Sequence, residues 1–273
     1  MRDDLTEAAA ADLMAVADAL ADAARAATLL HFRTALSADS KGSAGFDPVT
    51  VADRLAEMRM RELLARLRPA DGILGEEHGA VAGSSGLTWI LDPIDGTRGY
   101  LSGTPTWGVL IALADAAGPL YGVIDQPFIG ERFVGGLGRA EVTGPTGRHP
   151  LRARPARPLG EAILFSTFPE VGTAAERDGF ARLSAQVRLT RYGMDCYAYA
   201  LVAAGQIDLV VEAGLEPYDI AAPIAVIEAA GGIVTDWRGR PAHRGGRVLA
   251  AANAGIHAAA LAILRDVPEG ART

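Results

Sequence analysis

The chain reads Asp92-Pro93-Ile94-Asp95-Gly96-Thr97 directly after an apolar stretch, Thr88-Trp89-Ile90-Leu91. The proline and the glycine favour a tight turn, in which both aspartates face one point. Two carboxylates about 4 Å apart repel each other by roughly 4 kcal/mol at an effective dielectric constant of about 20. A divalent cation that prefers oxygen ligands, such as Mg²⁺, removes this repulsion. The segment therefore predicts a metal site at the end of a strand.

The composition is that of an ordinary globular protein, with 273 residues, 49% hydrophobic and 22% charged. This length suffices for one large domain or for two lobes that share a core. The formal net charge of -7 disfavours nucleic acid as a partner, because phosphate backbones are bound by basic surfaces. A small phosphorylated substrate is compatible with this charge if metal ions supply the positive charge.

Cys196 is the single cysteine of the chain, which excludes an internal disulfide and a thiolate metal site. We expect a reducing, cytoplasmic location, with Cys196 packed in a helix rather than reactive. Near the N-terminus an alanine-rich segment is interrupted by Asp12, Asp18 and Asp22. That pattern is typical neither of a signal peptide nor of a membrane span, so we expect no membrane association.

Apolar residues at helical spacing predict a long helix over 5–33 and a second helix that ends before Pro69. After the central segment, apolar runs predict an antiparallel meander with strands at 107–113, 120–124 and 131–134. Residues 135–160 are rich in Gly, Pro and Arg, and we expect them to connect two lobes.

The predicted lobes comprise residues 1–138, which carry most of the candidate metal ligands, and residues 139–273, within one compact catalytic unit. The second half alternates between strand and helix patterns, which predicts helices packed on a mixed sheet. The strands are expected near 162–165, 188–191, 207–211, 233–235 and 247–252. The helices are expected at 174–187, 195–204, 219–230 and 256–265.

Four acids stand at predicted strand ends or at a helix start: Glu76, Asp92, Asp95 and Asp219. Each alone has a more ordinary interpretation. Asp219 would be a helix N-cap, Glu76 with Glu77 would be solvated loop charges, and Asp92 or Asp95 would hold an Asx-turn. Their combination with the central segment favours the metal site.

Three further motifs accompany the central segment: Gly75-Glu76-Glu77 before its strand, Tyr218-Asp219-Ile220-Ala221 before a helix that ends at Gly231-Gly232, and an Asp-x-Val-Thr-x-x-Asp at 47–53. Together these motifs resemble the inositol monophosphatase superfamily of Mg²⁺-dependent phosphatases, in order and over most of the chain. The resemblance implies an α/β (α+β) fold, the layered α-β-α-β-α sandwich of the inositol monophosphatase and fructose-bisphosphatase type.

The resemblance also implies roles for individual residues. Two or three Mg²⁺ ions would be held by four carboxylates and one backbone carbonyl, those of Glu76, Asp92, Asp95, Asp219 and Ile94. Asp47, Glu76 and Thr97 would orient and deprotonate the attacking water. The N–H groups of Gly96 and Thr97, at the start of a short helix, would bind phosphate oxygens. A helix N-cap is the alternative role of Thr97. The loop around Lys41 matches the family only loosely, which leaves the number of ions open.

A narrower resemblance is to the histidinol-phosphatase branch of this superfamily, carried by the segments 103–111, 125–127, 192–200 and 214–219. At the position of Asp195 the inositol branch usually has a small apolar residue. Inositol is neutral, whereas histidinol carries an ammonium group and a partly protonated imidazole, which carboxylates at Asp195 and Glu212 would suit. The alternatives are a helix N-cap for Asp195 and a surface charge at a strand end for Glu212.

The resemblance implies a set of substrate contacts: Glu76, Ile94, Asp95, Gly96, Thr97, Gly193, Met194, Asp195, Glu212 and Asp219. The expected reaction is hydrolysis of L-histidinol phosphate to histidinol and phosphate in histidine biosynthesis. Hydrolysis of inositol-1-phosphate, or of a range of sugar or nucleotide phosphates, is the alternative within the family. A non-catalytic protein that binds a phosphate ligand is a remote one. Because family members are commonly dimers, we also expect a homodimer.

Overall fold

The structure is a computed structural model that describes residues 5–34, 39–40 and 48–268. Within these residues the chain forms seven α-helices: α1 (Glu7–His31), α2 (Val51–Leu67), α3 (Thr97–Ser102), α4 (Ala174–Ser184), α5 (Cys196–Ala203), α6 (Pro217–Ala229) and α7 (Ala254–Leu264). The same residues form fifteen strands: β1 (Asp39–Ser40), β2 (Pro48–Val49), β3 (Gly72–Gly75), β4 (Gly79–Val81), β5 (Thr88–Asp95), β6 (Gly108–Asp115), β7 (Gly118–Gln126), β8 (Glu131–Gly136), β9 (Arg139–Gly144), β10 (Gly147–Pro150), β11 (Ile163–Ser166), β12 (Leu189–Tyr192), β13 (Leu209–Leu215), β14 (Ile233–Thr235) and β15 (Gly246–Ala251).

The longer strands form two sheets. The first sheet has the order β10-β9-β8-β7-β6-β5-β3-β4 and is antiparallel except between β3 and β5. The second has the order β12-β11-β13-β15-β14. It is mixed, because β11 runs parallel to both of its neighbours whereas β15 runs antiparallel to both of its own. The predicted meander is confirmed as β6, β7 and β8, and the predicted mixed sheet is confirmed as the second sheet.

Helices and sheets alternate in five layers. One face of the first sheet packs against α1 and α2, and its other face packs against α6. The second sheet shares a core with α5 and α6 on one side and with α4 and α7 on the other. This arrangement confirms the expected α-β-α-β-α sandwich. Because both faces of β6 are covered, Val109, Leu110 and Ile111 are all buried and the strand is one continuous apolar run.

The central helix α6 lies between the two sheets and is apolar on nearly all sides. Ile220, Val226 and Ile227 have no exposed surface. A helix that is covered on both flanks needs no polar face. Pro217 occupies its first turn, where a missing N–H costs nothing. Because Asp219 belongs to this first turn, the packing of α6 also places a candidate site residue.

Two glycines let α6 approach the first sheet closely. A Cβ atom added at Gly122 of β7 would lie 2.3 Å from the carbonyl oxygen of Ala222. One added at Gly135 of β8 would lie 2.4 Å from Cα of Val226. Both contacts involve helix backbone, which cannot rotate away as a side chain can. The sheet and helix therefore fit only when these positions carry no side chain.

The predicted connection over 135–160 is wrong in its first part. Strands β9 and β10 form an antiparallel hairpin that continues the first sheet to Pro150. None of the residues of these two strands is buried. The apolar alternation that indicates a strand is therefore weak there. The division into lobes at 1–138 and 139–273 stays a prediction. The last strand of the first sheet ends at Pro150, and the second sheet begins with β11 at Ile163.

Within the described residues, no helix combines the length and the apolar character that a membrane span requires.

We predict that Gly122→Ala destabilises the protein by about 1–3 kcal/mol, because the added methyl group forces α6 away from β7. Urea unfolding followed by circular dichroism measures the change. Gly160→Ala is the matched control, since its Cβ would meet nothing nearer than the carbonyl oxygen of Gln186 at 3.9 Å. Equal midpoints for the two variants would contradict the close helix–sheet contact.

Candidate active site

Three acids from two distant parts of the chain converge at the end of strand β5. Asp92 and Asp95 belong to β5, and Asp219 lies in the first turn of α6. One carboxylate oxygen from each lies within 4.8 Å of the others. Glu76 follows β3, which runs parallel to β5, and it lines the same cavity. The structure thus brings together the four acids that the sequence singled out.

The predicted tight turn between Asp92 and Asp95 is wrong. The segment continues as strand β5, and its register with β6 shifts between these two residues, as in a β-bulge. The chain turns one residue later at Gly96, which has a positive φ of 84°. The bulge changes which way the strand presents its side chains, so that two acids three residues apart reach one cluster. Asp92 also accepts a hydrogen bond from the N–H of Ile94 at 3.0 Å, as an Asx-turn residue does.

A backbone N–H group holds each of the three clustered acids. Besides the bond from Ile94 to Asp92, the N–H of Cys196 donates to Asp95 Oδ2 at 2.6 Å. The N–H of Glu216 donates to Asp219 Oδ2 at 2.7 Å. Asp219 is the fourth residue of a capping box that begins at Glu216, so its predicted N-cap position is wrong by three residues. These donors fix the carboxylates without neutralising their charge.

The electrostatics of the cluster favour a bound cation. Burial, followed by the charges of Glu76 and Asp95, raises the pKa of Asp92 well above its usual range. Burial and the charge of Asp195 do the same to the pKa of Asp95. Burial foremost, with the nearby charge of Glu76, raises the pKa of Asp219 to about 7. A site built from oxygen donors that repel one another fits a hard divalent cation.

Thr97 lies beside this cluster and beside an acid that was not predicted as a site residue. It is the first residue of α3, whose N-cap is Gly96, so the N-cap alternative for Thr97 is wrong. Its hydroxyl lies 3.1 Å from the carbonyl oxygen of Ile94 and 3.4 Å from Asp53 Oδ1. Thr97 therefore connects the end of β5, which carries Asp92 and Asp95, to α2.

Asp53 is held by Thr50, whose N–H and hydroxyl donate to Asp53 Oδ2 at 2.8 and 2.6 Å. Burial raises the pKa of Asp53. The signal that could have identified this pair is the Thr-x-x-Asp capping box at the start of α2. Asp47, which the resemblance implies as a catalytic residue, lies outside the described residues, as does Lys41.

The acids open into a cavity of about 360 Å³. Its lining includes the metal candidate Asp92 and most of the predicted substrate contacts: Glu76, Ile94, Asp95, Gly96, Thr97, Asp195, Glu212 and Asp219. Gly193 and Met194 do not line it. Met194 packs against the core between the sheets, and the N–H of Gly193 donates to the carbonyl oxygens of Ser166 and Thr167. Substrate contact by these two residues stays a prediction.

Asp195 and Glu212 are two further acids that line the cavity. Asp195 occupies the N-cap position of α5, but its side chain makes no capping bond, and its φ is 46°. It lies against Gly96, where an added Cβ would be 2.7 Å from Asp195 Cγ. Burial, with the charge of Glu212, raises the pKa of Asp195 to about 6. Glu212 is 6% exposed, so it is not the surface charge of the alternative.

Several cavity residues carry no recognisable signal in the sequence. Thr167 and Tyr199 both donate to Glu212. Arg98 lies over the ring of Phe168, with 4.9 Å between the guanidinium carbon and the ring centroid. Phe168 is a large apolar residue that remains 44% exposed at the cavity. These contacts join α3 and α5 to the second sheet, which places the cavity between the two sheets.

Comparison with known proteins agrees with the fold. Residues 9–269 match the inositol monophosphatase family. The chain is 40% identical over 229 residues to "Bifunctional phosphatase IMPL2, chloroplastic" of Arabidopsis thaliana, covering 83% of this chain and 64% of that protein. It is 36% identical over 253 residues to "Histidinol-phosphatase" of Streptomyces coelicolor, covering 90% and 94%. The solved structure of an inositol monophosphatase from Zymomonas mobilis superposes with a TM-score of 0.82 at 37% identity, covering 93% of this chain and 97% of that chain.

The layered fold is that of phosphatases of the inositol monophosphatase family, and the acid cluster could hold a metal ion. The chain belongs to the inositol monophosphatase family.

We predict that Mg²⁺ stabilises the protein more at about pH 8 than at about pH 5.5. The metal-free fold holds Asp219 at a pKa of about 7, above its unfolded value of about 3.9. Asp219 therefore contributes stability below pH ~4 that is lost as the pH rises through ~7. Since metal binds the deprotonated acid, Mg²⁺ restores most where that loss is complete.

Thermal unfolding with and without MgCl₂ at both pH values measures this difference. Asp219→Asn should weaken the pH dependence of the Mg²⁺ effect. Asp236→Asn is the control, because Asp236 lies in a turn with Arg240 and does not line the cavity. An equal shift in melting temperature at both pH values would contradict the account of the acid cluster.

Proposed function

We propose that this protein hydrolyses L-histidinol phosphate to L-histidinol and inorganic phosphate, in a Mg²⁺-dependent reaction of histidine biosynthesis. The observation that carries the proposal is that two further carboxylates, the partly buried Asp195 and the buried Glu212, line the same cavity as the acid cluster. A phosphate ester whose alcohol is cationic would place its phosphate at the cluster and its positive charge at this pair.

The proposed metal ligands are the carboxylates of Glu76, Asp92, Asp95 and Asp219 and the carbonyl of Ile94, holding two or three ions. Bound Mg²⁺ would supply the positive charge that a phosphate dianion requires, and it would acidify water and stabilise the leaving alcohol. The oxygen-only donors and the raised pKa values of Asp92 and Asp95 support this assignment.

The residues around the cluster are suited to orient water and phosphate. The Thr97 hydroxyl lies between the Ile94 carbonyl and Asp53, from which it could direct a water molecule for attack. Asp47 and Glu76 are proposed to share that role, as the family resemblance implies. The N–H groups of Gly96 and Thr97 are proposed to bind phosphate oxygens, which requires mainly correct positioning and charge complementarity.

A second candidate substrate is inositol-1-phosphate. The similarity to an inositol monophosphatase of known structure favours it, and the hydroxyl groups of a neutral polyol can also donate to carboxylates. A buried and a partly buried carboxylate, however, incur a desolvation cost that a neutral ligand offsets less well than a cation does. The proposal therefore ranks histidinol phosphate first. It also includes a cytoplasmic location, for which the single cysteine argues, and a homodimer, for which only the family resemblance argues.

We predict that, with Mg²⁺, the protein hydrolyses histidinol phosphate with a higher kcat/KM than inositol-1-phosphate. A panel of phosphomonoesters, with release of inorganic phosphate as the readout, tests this expectation. Chelation should abolish turnover, and added Mg²⁺ should restore it. Faster turnover of inositol-1-phosphate would contradict the proposed substrate. Metal binding without turnover of any ester would instead support the non-catalytic alternative.

We predict that Asp195→Ala lowers kcat/KM for histidinol phosphate by roughly 10–100-fold, the loss expected for one hydrogen bond to a charged group. Turnover of p-nitrophenyl phosphate, which lacks a cationic alcohol, should fall much less. The control is Asp178→Ala, since Asp178 is an exposed residue of α4. Equal losses on both substrates would remove Asp195 from substrate recognition.

A further inference from the structure

Glu212 is held by three hydrogen bonds inside the cavity. The N–H of Thr167 donates to Oε1 at 2.8 Å, and the Thr167 hydroxyl donates to the same atom at 2.5 Å. The hydroxyl of Tyr199 donates to Oε2 at 2.6 Å. Thr167 follows β11, Tyr199 belongs to α5 and Glu212 belongs to β13. Three separate elements thus determine where this carboxylate lies.

The number of donors determines how much of the carboxylate is available to a ligand. A carboxylate has about four acceptor positions, two on each oxygen. The donations from Thr167 use both positions on Oε1, and the donation from Tyr199 uses one on Oε2. One acceptor position remains on Oε2. Because Glu212 lines the cavity, a ligand can offer one N–H or O–H to that position.

The tyrosine hydroxyl is a durable donor. Tyr199 is 2% exposed, and its burial, together with the charge of Glu212, raises its pKa well above the usual value. The hydroxyl therefore keeps its proton at any pH at which the protein would function. The hydroxyls of tyrosine and threonine are neutral, so they hold the carboxylate without offsetting its negative charge. An arginine or a lysine in their place would offset that charge.

We infer that Thr167 and Tyr199 are positioning residues for substrate recognition: they orient Glu212 so that its one remaining acceptor position receives an N–H group of the cationic substrate alcohol. This inference rests on the proposed function. A positioned carboxylate discriminates between substrates more sharply than a mobile one, because less side-chain freedom is lost on binding. The residues therefore govern the choice of alcohol and not the chemistry at phosphorus.

The test compares Tyr199→Phe with Tyr197→Phe. Both tyrosines lie on α5, and each donates its hydroxyl to a glutamate, Tyr197 to Glu131 Oε2 at 2.8 Å. Tyr197 and Glu131 do not line the cavity, so Tyr197→Phe removes a similar bond without affecting Glu212. The substrates are histidinol phosphate and p-nitrophenyl phosphate with Mg²⁺. A second measurement is binding of L-histidinol by calorimetry, which needs no turnover.

The expected result is a loss of roughly 10-fold in kcat/KM for histidinol phosphate in Tyr199→Phe, chiefly through KM. Binding of L-histidinol should weaken by a similar factor, while p-nitrophenyl phosphate turnover changes less than about 2-fold. Tyr197→Phe should leave the ratio between the substrates unchanged. Thr167→Val should repeat the selective loss, and Thr167→Ser, which keeps the hydroxyl, should restore most of the ratio.

The inference and the proposed function fail in different ways. Wild-type protein that hydrolyses p-nitrophenyl phosphate but not histidinol phosphate would overturn both. Wild-type protein that hydrolyses both esters, with Tyr199→Phe losing equally on the two or losing nothing, would overturn the inference alone. If Tyr199→Phe does not fold, the Thr167 variants decide the question by the same ratio.

Discussion

Mutual repulsion among clustered carboxylates is the constraint on which the active-site region depends. Burial and like charges raise the pKa values of Asp92, Asp95 and Asp219 together, so the metal-free cluster is costly wherever it is ionised. Backbone N–H groups hold the side chains in this unfavourable arrangement. A donor that belongs to the main chain of a strand or helix cannot move away as a side chain can. The repulsion among the carboxylates therefore persists until a bound cation offsets it.

The layered fold supplies the rigidity that this arrangement requires. Asp219 enters the cluster from α6, whereas Asp92 and Asp95 enter it from β5. Their separation is set by how closely α6 packs on the first sheet, and Gly122 and Gly135 set that approach. Since protein interiors tolerate little change in volume, a methyl group at either glycine would change the distances between the acids of the cluster. The two glycines thus help to position the acids although they do not line the cavity.

Much of this arrangement could be predicted from the sequence, because short motifs encode it. The segment from Asp92 to Thr97 and the acids at Glu76 and Asp219 identified the cluster, the alternation of patterns predicted the mixed sheet, and the family resemblance implied the layers. The hairpin of β9 and β10 was missed because exposed strands lack apolar alternation. The contacts of Thr167 and Tyr199 with Glu212 could not be predicted, since they depend on how three distant elements pack and on side-chain orientations that no local pattern reveals.

The two groups of cavity acids are held in different ways, and the difference bears on how specificity can change. Backbone groups hold Asp92, Asp95 and Asp219, so substitutions nearby leave their donors in place. The donors to Glu212 include two side-chain hydroxyls, and Asp195 lies against a glycine without a capping bond. Single substitutions can alter this second group while the first persists. Under the proposed function, a fold that separates the two groups of acids in this way can keep its phosphate chemistry while its alcohol substrate changes, and the chain is similar both to a protein named for histidinol and to one named for inositol.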